Sequence, residues 1–398
     1  MSNGRDTDPA VERWAGAGHS DDPDSARAGR EAVAAAIAGE DPRLVVVFAS
    51  PRHSLETLAD AAHEAAGPAE VIGCFSAGRI APQAAAASGV SALALGGRGF
   101  SVATASESLT GADSRTAGVR AASCLAHVDQ ELPHRALIML TDALGADPDA
   151  VVRGAYSVAG AVVSLVGGRA GDELRTGEPG QLHGGRVLRG SVVAAAIASH
   201  APFGVGVRHG WSTRGEPLLV TASDGNELRT LNDRPALDTY LDLFEAPAKA
   251  RWDAAAFIRF ALLHPFGVAG ARGREAQIRA VAGADFRSRS LKCVAELPAG
   301  TLVWVMEAER ERVVDATGLA CEDALRPLRG KPPVGLLAFD SVARAAVLGS
   351  DGLLEARTRL TAVAGGAPLA SLRTYGEIAR IRGFSGFHSH ALAVLAIG

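Results

Sequence analysis

Gly386-Phe387-His388-Ser389-His390-Ala391-Leu392 runs directly into Ala393-Val394-Leu395-Ala396-Ile397, and the reading of this stretch decides the fold. An apolar run with no tail after it is expected to be a strand paired inside a sheet. Strand alternation places His388, His390, Leu392 and Val394 on one face. Upstream, Thr374-Tyr375-Gly376-Glu377-Ile378-Ala379 reads as a turn and a short strand. Two imidazoles then sit where a core is expected. They either line a pocket or are hydrogen-bonded into a wall.

Outward from this end, strands and helices alternate only locally. Leu44 to Phe48 is an all-apolar strand, buried on both faces. Ser54 caps a helix to Ala66, and Val71 to Cys74 is the next strand, giving one βαβ unit. Val90 to Leu95 and Phe100 to Ser106 read as a hairpin around Gly96-Gly97-Arg98-Gly99, and Ser223-Asp224-Gly225-Asn226 turns another. Frequent hairpins favour an α+β fold of two domains, each a mixed, largely antiparallel sheet covered by helices. Residues 1–24 are expected to be a disordered lead, 25–225 the first domain and 226–398 the second. No short-period repeat is visible.

Composition narrows the classes. The 398 residues are 47% hydrophobic with a formal charge of -4, which argues against a general nucleic-acid binder. No apolar run reaches membrane-spanning length, and the acidic first residues are not expected to be a signal peptide. Cys74, Cys124, Cys293 and Cys321 lie far apart with no C-x-x-C, which suits a reducing compartment. A cytoplasmic protein is expected.

Several stretches could carry chemistry. Cys74-Phe75-Ser76-Ala77-Gly78 follows a strand and is a near miss for a nucleophile elbow; the plainer reading is a tight turn. Gly167-Gly168-Arg169-Ala170-Gly171-Asp172 is glycine-rich but lacks the Lys-Ser/Thr of a P-loop. It is either a turn or a place where backbone approaches a ligand. Asp340 and Arg344 have the i, i+4 spacing of an ion pair. His388-Ser389-His390 could serve a metal or a haem edge, but no third ligand matches it.

As a set, these residues resemble the FIST proteins, bacterial sensory modules with paired FIST-N and FIST-C domains. The resemblance runs from about Leu44 to Ile397. It rests on the order of Ile72 to Gly78, Gly167 to Asp172, Pro235 to Leu241, Phe339 to Arg344, Thr374 to Ile378 and Phe387 to Leu392. It implies a FIST-N-like domain at 25–225 and a FIST-C-like domain at 226–398. It also implies a sensor that binds an amino acid or small carboxylate between them. A partner such as a histidine kinase, cyclase or chemotaxis transducer would read the bound state. Arg344 would grip a carboxylate, and Asp340 or Glu377 an ammonium. Cys74, Ser76, Gly78, Gly168, Asp172, Tyr375, His388 and His390 would complete the site, with no metal and no obligate cofactor. Two alternatives stay open: a haem-binding nitric-oxide sensor, and a hydrolase or transferase using Ser76 or Cys74. Phe75 and Arg79 stand where the family has a serine and an acid. Ser341, Ser389 and Ala391 also depart from its pattern.

Overall fold

The computed structural model describes residues 13–76, 89–111, 113–142, 147–171, 180–269, 276–380 and 386–398. Its plan begins with the apolar strand read from sequence, β2. The first unit is β1 (Trp14–Ser20), α1 (Ser25–Ala36), β2 (Pro42–Ala49), α2 (Leu55–Ala66), β3 (Glu70–Phe75) and β4 (Val90–Gly96). β2 lies parallel to β3 and antiparallel to β4, and β4 pairs β1, giving the order β1-β4-β2-β3.

The same plan then recurs. The second unit is β5 (Phe100–Ser108), α3 (Ser114–Ala122), β6 (His134–Thr141), α4 (Pro148–Ala159) and β7 (Ser164–Arg169), then the hairpin β8 (Gly180–His183) and β9 (Arg186–Arg189), then β10 (Ser191–Ser199). Its order is β5-β10-β6-β7, with β6 and β7 parallel. The third unit starts with β11 (Phe203–Arg208), and a module is inserted before it resumes. That module holds β12 (Trp211–Asp224), β13 (Glu227–Leu231), β14 (Arg234–Pro235), α5 (Ala236–Leu243), α6 (Ala254–Ala261), β15 (Phe266–Val268), β16 (Gln277–Arg279), β17 (Val281–Asp285), β18 (Ser290–Cys293) and β19 (Leu302–Ala308). The third unit continues with α7 (Arg310–Leu325), β20 (Gly335–Ser341), α8 (Val342–Ala364) and β21 (Leu369–Thr374). It ends with β22 (Glu377–Ala379), β23 (Phe387–His388) and β24 (Leu392–Ile397). Its order is β11-β24-β20-β21, again with one parallel pair.

The chain is therefore α+β with mixed sheets in two domain-sized halves, and within them one four-stranded plan occurs three times. Each sheet turns one face to a core shared by all three units. That core includes Val46, Phe48, Ile138, Leu140, Leu337 and Phe339. Phe48 and Phe339 meet edge to face at 6.2 Å. The other face of each sheet is covered by its own pair of helices. The inserted sheet has a separate core around Leu237, Tyr240, Phe257 and Phe266.

Two expectations are corrected. Residues 14–20, expected within a disordered lead, form β1, paired along its length with β4. Their weak hydrophobicity hides the cause: Gly16 and Gly18 lie against α1 so closely that a Cβ would come within about 2 Å of the Ala36 and Ala32 carbonyl oxygens. Gly204 and Gly206 of β11 lie against α7 in the same way. The second correction concerns the histidine strand. β23 ends at His388, β24 begins at Leu392, and His390 between them takes a left-handed φ of 60°. The two histidines therefore do not share one continuous strand face.

The boundary expected at 225/226 falls in the turn between β12 and β13. The third unit draws β11 from before that point and the rest of its strands from after it.

Candidate functional site

The three parallel pairs end together, and the backbone shows how. Ser50 N–H donates to Gly89 O at 2.9 Å, Asp142 to Ser191 O at 3.0 Å and Ser341 to Ala391 O at 3.0 Å. These are the same bond in three units. They make Phe75, Arg169 and Arg373 equivalent, because each pairs with the residue before the donor. The turns that follow are bonded to one another in a ring. Gly171 N–H donates to Phe75 O at 3.1 Å. Tyr375 N–H donates to Arg169 O at 3.3 Å, and Arg169 N–H to Gly376 O at 2.9 Å. Arg373 N–H donates to Ser76 Oγ at 3.0 Å. The ring thus passes from unit one to two, two to three and three back to one. Open sheets bind ligands outside the carboxyl ends of parallel strands, which is where this ring lies.

The polar groups at the ring are mostly buried. Ser50, Ser76, Asp142, Arg169, Ser341, Thr374 and Glu377 are all enclosed. Burial pulls the Arg169 guanidinium down to about 10, with Asp142 and Asp147 opposing, so it remains charged at neutral pH. Asp142 accepts from Gly190 N–H at 2.8 Å.

Among the described residues, the hairpins after the second and third parallel pairs extend the preceding unit's sheet. β8 pairs β3, and β22 pairs β7. This places Gln181 opposite Cys74 and Glu377 opposite Gly168, so the two polar side chains are counterparts. Glu377 is satisfied: Thr374 Oγ1 donates to Oε1 at 2.6 Å and Ala391 N–H to Oε2 at 2.9 Å. Burial still pushes its carboxyl up to about 8, so it is a neutral acid at pH 7. Gln181 is wholly buried, and neither amide atom has a partner. The counterpart of Thr374 is Ala170, which has no hydroxyl to give. Sequence reasoning missed both Gln181 and the ring. The first needs the pairing of β8, and the second needs contacts between turns more than ninety residues apart.

The residues expected to form the site divide into groups. Ser76, Gly168, Tyr375 and Glu377 lie at or beside the ring. Gly78 and Asp172 lie outside the described residues. Asp340 points to the other face of its sheet, toward α7 and α8. There Arg344 is fully buried: Nε donates to Asp340 Oδ1 at 2.6 Å, Nη1 to Val313 O at 3.1 Å and Nη2 to Thr317 Oγ1 at 2.7 Å. This places Arg344 in the frame rather than over a pocket, because its donors in every direction are engaged by protein.

His388 and His390 are buried at the contact with the inserted module. His388 Nε2 donates to Ala379 O at 2.7 Å and His390 Nε2 to Leu262 O at 2.9 Å. Burial lowers both to about 4, so both are neutral at pH 7. His390 also meets Trp211 edge to face at 5.2 Å. Among the described residues, no group of three or more His, Cys, Asp and Glu is placed to hold a metal ion. No described helix is long and apolar enough to cross a membrane.

Cys74 faces the shared core with no exposure, and burial pushes its thiol far up. The other three cysteines are buried as well. Iodoacetamide should therefore leave all four unmodified in the folded chain and modify all four in denaturant, read by intact mass. Rapid alkylation of Cys74 under native conditions would restore it as a candidate nucleophile.

Comparison with known proteins gives the class and then the family. Both halves match sensory domains of signal transduction. The FIST N domain matches residues 43–234 and the FIST C domain residues 236–380, and the chain belongs to the FIST family with both domains. No curated protein sequence matches it. Among solved structures, a cyanuric acid hydrolase described as arising by structural concatenation is similar at 10% identity and a TM-score of 0.36, covering 97% of this chain and 99% of its own. Another, from A. caulinodans, has 14% identity and a TM-score of 0.26, covering 48% of this chain and 72% of its own.

Proposed function

We propose that this chain is a sensory protein that binds a small polar ligand over the ring of three turns, and that a partner protein of signal transduction reads the bound state. The observation that carries the reading is the closure of the ring at the carboxyl ends of three parallel pairs. Units one and two come from the first half and unit three mostly from the second, so the ligand lies where the halves meet. The reading is of a binder at this ring, not a catalyst.

The chemistry of the ring selects the ligand class. Arg169 is a buried cation with the planar fork that grips a carboxylate. Gln181 lies one strand residue below the ring on the inner face. Its unbonded amide costs about 1–3 kcal/mol, which a polar ligand group or an ordered water would offset. Arg169 lies on the helix-covered face, in the register that Arg373 has with Asp340, and is the ring group that selects an amino acid or a small carboxylate. Gln181, on the core face, answers a separate polar group or water. Asp340 and Arg344 hold β20 against α7 and α8 and so fix the third turn.

Isothermal calorimetry against amino acids and small carboxylates tests this. The hit should weaken about tenfold or more in Arg169→Gln and in Gln181→Leu, the size of one lost charge-assisted bond. Arg344→Lys should lower the thermal transition, because lysine cannot make the same fork of bonds, and should weaken binding less than either ring variant. Unchanged binding in both ring variants would remove the ring from the site.

A further inference from the structure

At the far end of β3 from the ring, a second group of polar side chains is wired in one direction. Thr104 and Ser106 stand on the same face of β5, against the edge where β8 extends the first sheet. Thr104 Oγ1 donates to Glu70 Oε2 at 2.6 Å. His183 Nε2 lies 3.0 Å from Thr104 Oγ1, and His183 Nδ1 lies 2.8 Å from Ser106 Oγ.

The proton positions follow from the chemistry. The Glu70 carboxylate only accepts, so it takes the Thr104 hydroxyl proton. Thr104 oxygen must then accept from His183 Nε2–H. The neutral imidazole has one lone pair left, on Nδ1, and the Ser106 hydroxyl donates to it. Burial lowers the affinity of His183 for a proton and Arg186 adds to this, while Glu70 opposes. The free base is therefore the resting form at neutral pH. Arg186 is directly opposite His183 in the β8–β9 pair, so both side chains are on one face. Ser106 and His183 are half-buried, and Arg186 beside them is exposed.

We propose that Ser106 is an activated hydroxyl that attacks activated carboxylic esters, with His183 as its general base and Arg186 as the cation for the developing oxyanion. Thr104 and Glu70 are positioning residues that fix the imidazole tautomer. With p-nitrophenyl acetate, Ser106 Oγ bonds to the carbonyl carbon and its proton passes to His183 Nδ1. The carbon–oxygen bond to the aryl group breaks, and p-nitrophenolate leaves with the electron pair. His183 then releases its proton to solvent. Water attacks the acetyl carbon through the same base, giving acetate and free Ser106. This site is independent of the ring, and either can stand without the other.

The experiment is to incubate the full chain with p-nitrophenyl acetate, following nitrophenolate by absorbance and mapping acetylated peptides by mass spectrometry. Wild type should carry acetyl on Ser106, and Ser106→Ala should lose both the burst and the modified peptide. His183→Gln, folded by its thermal transition, should slow acetylation about a hundredfold or more, the usual worth of a general base. Glu70→Gln removes a charge that favours the imidazolium, so the pH midpoint of acetylation should move down. A midpoint unmoved by Glu70→Gln would mean that the group titrating in acetylation is not the imidazole beside Glu70. Wild type left unacetylated at Ser106, or acetylation unchanged in His183→Gln, would overturn the proposal.

Discussion

Replacing Arg344 by leucine should destabilise the chain by about 3–5 kcal/mol, the usual cost of leaving a buried charge without its partner. The pair has no solvent to fall back on: Arg344 is 0% exposed and Asp340 is 1%. The loss extends beyond one ion pair, because the same guanidinium also serves the Val313 carbonyl, the Thr317 hydroxyl and, at 3.4 Å, the His209 carbonyl. Those groups join α8, α7 and the segment after β11, so the guanidinium ties the third unit together. Removing both charges should be milder. Arg344→Leu with Asp340→Leu should recover much of the loss, since a buried ion pair offsets little more than its own desolvation. Urea unfolding of the two single variants and the double variant, arranged as a double-mutant cycle, reads this directly. A single variant within about 1 kcal/mol of wild type would sink the account.

This pair also shows what the sequence could disclose. The i, i+4 spacing after a strand pointed to an ion pair, and an ion pair is what forms. The resemblance pointed to a ligand grip, and the burial that decides between the two readings cannot be read from spacing. Local rules worked where the cause was local. Ser54 caps α2 by accepting from Thr57 N–H at 3.3 Å, and the Ser223 to Asn226 turn joins β12 to β13. The terminal apolar run is indeed a paired strand, with β11 on one side and β20 on the other.

What failed to show was built from distant partners. β1 is held by two glycines against a helix, which looks like a polar linker in sequence. The threefold plan was hidden because the inserted module separates β11 from α7, and because the units share an order of elements rather than residues. The histidine pair was misplaced by strand alternation because the chain turns at His390 between two sheets. Gln181 gives no signal at all, since what marks it is a hydroxyl missing from Ala170.

The stability of the chain should pass through a maximum near pH 6.5, because buried groups of opposite tendency titrate on either side. His388 and His390 are lowered from 6.5 to about 4 by burial. Between those values the unfolded chain binds more protons than the folded one, so stability rises with pH and is fully present above 6.5. Each histidine contributes on the order of 3 kcal/mol over that window, at about 1.4 kcal/mol per unit. Burial lowers His53, His183 and His264 as well, which adds to the same limb. Glu377 acts the other way. Burial raises it from 4.5 to about 8, with Asp340 adding to the shift and Thr374, Ala391 and Arg344 opposing it. The folded chain keeps that proton while the unfolded chain loses it, so stability falls as pH rises from 4.5 to 8. Below 6.5 the histidines outweigh the single acid; above it the acid acts alone, and the slope reverses. Melting temperatures from pH 4 to 9 should trace this shape. Glu377→Gln should flatten the alkaline limb, and His388→Gln should reduce the acid one. A wild-type curve still rising at pH 8 would mean that Glu377 is ionised in the fold. Its bonds to Thr374 and Ala391 would then be those of a carboxylate, and the third turn would present a negative charge to whatever the ring binds.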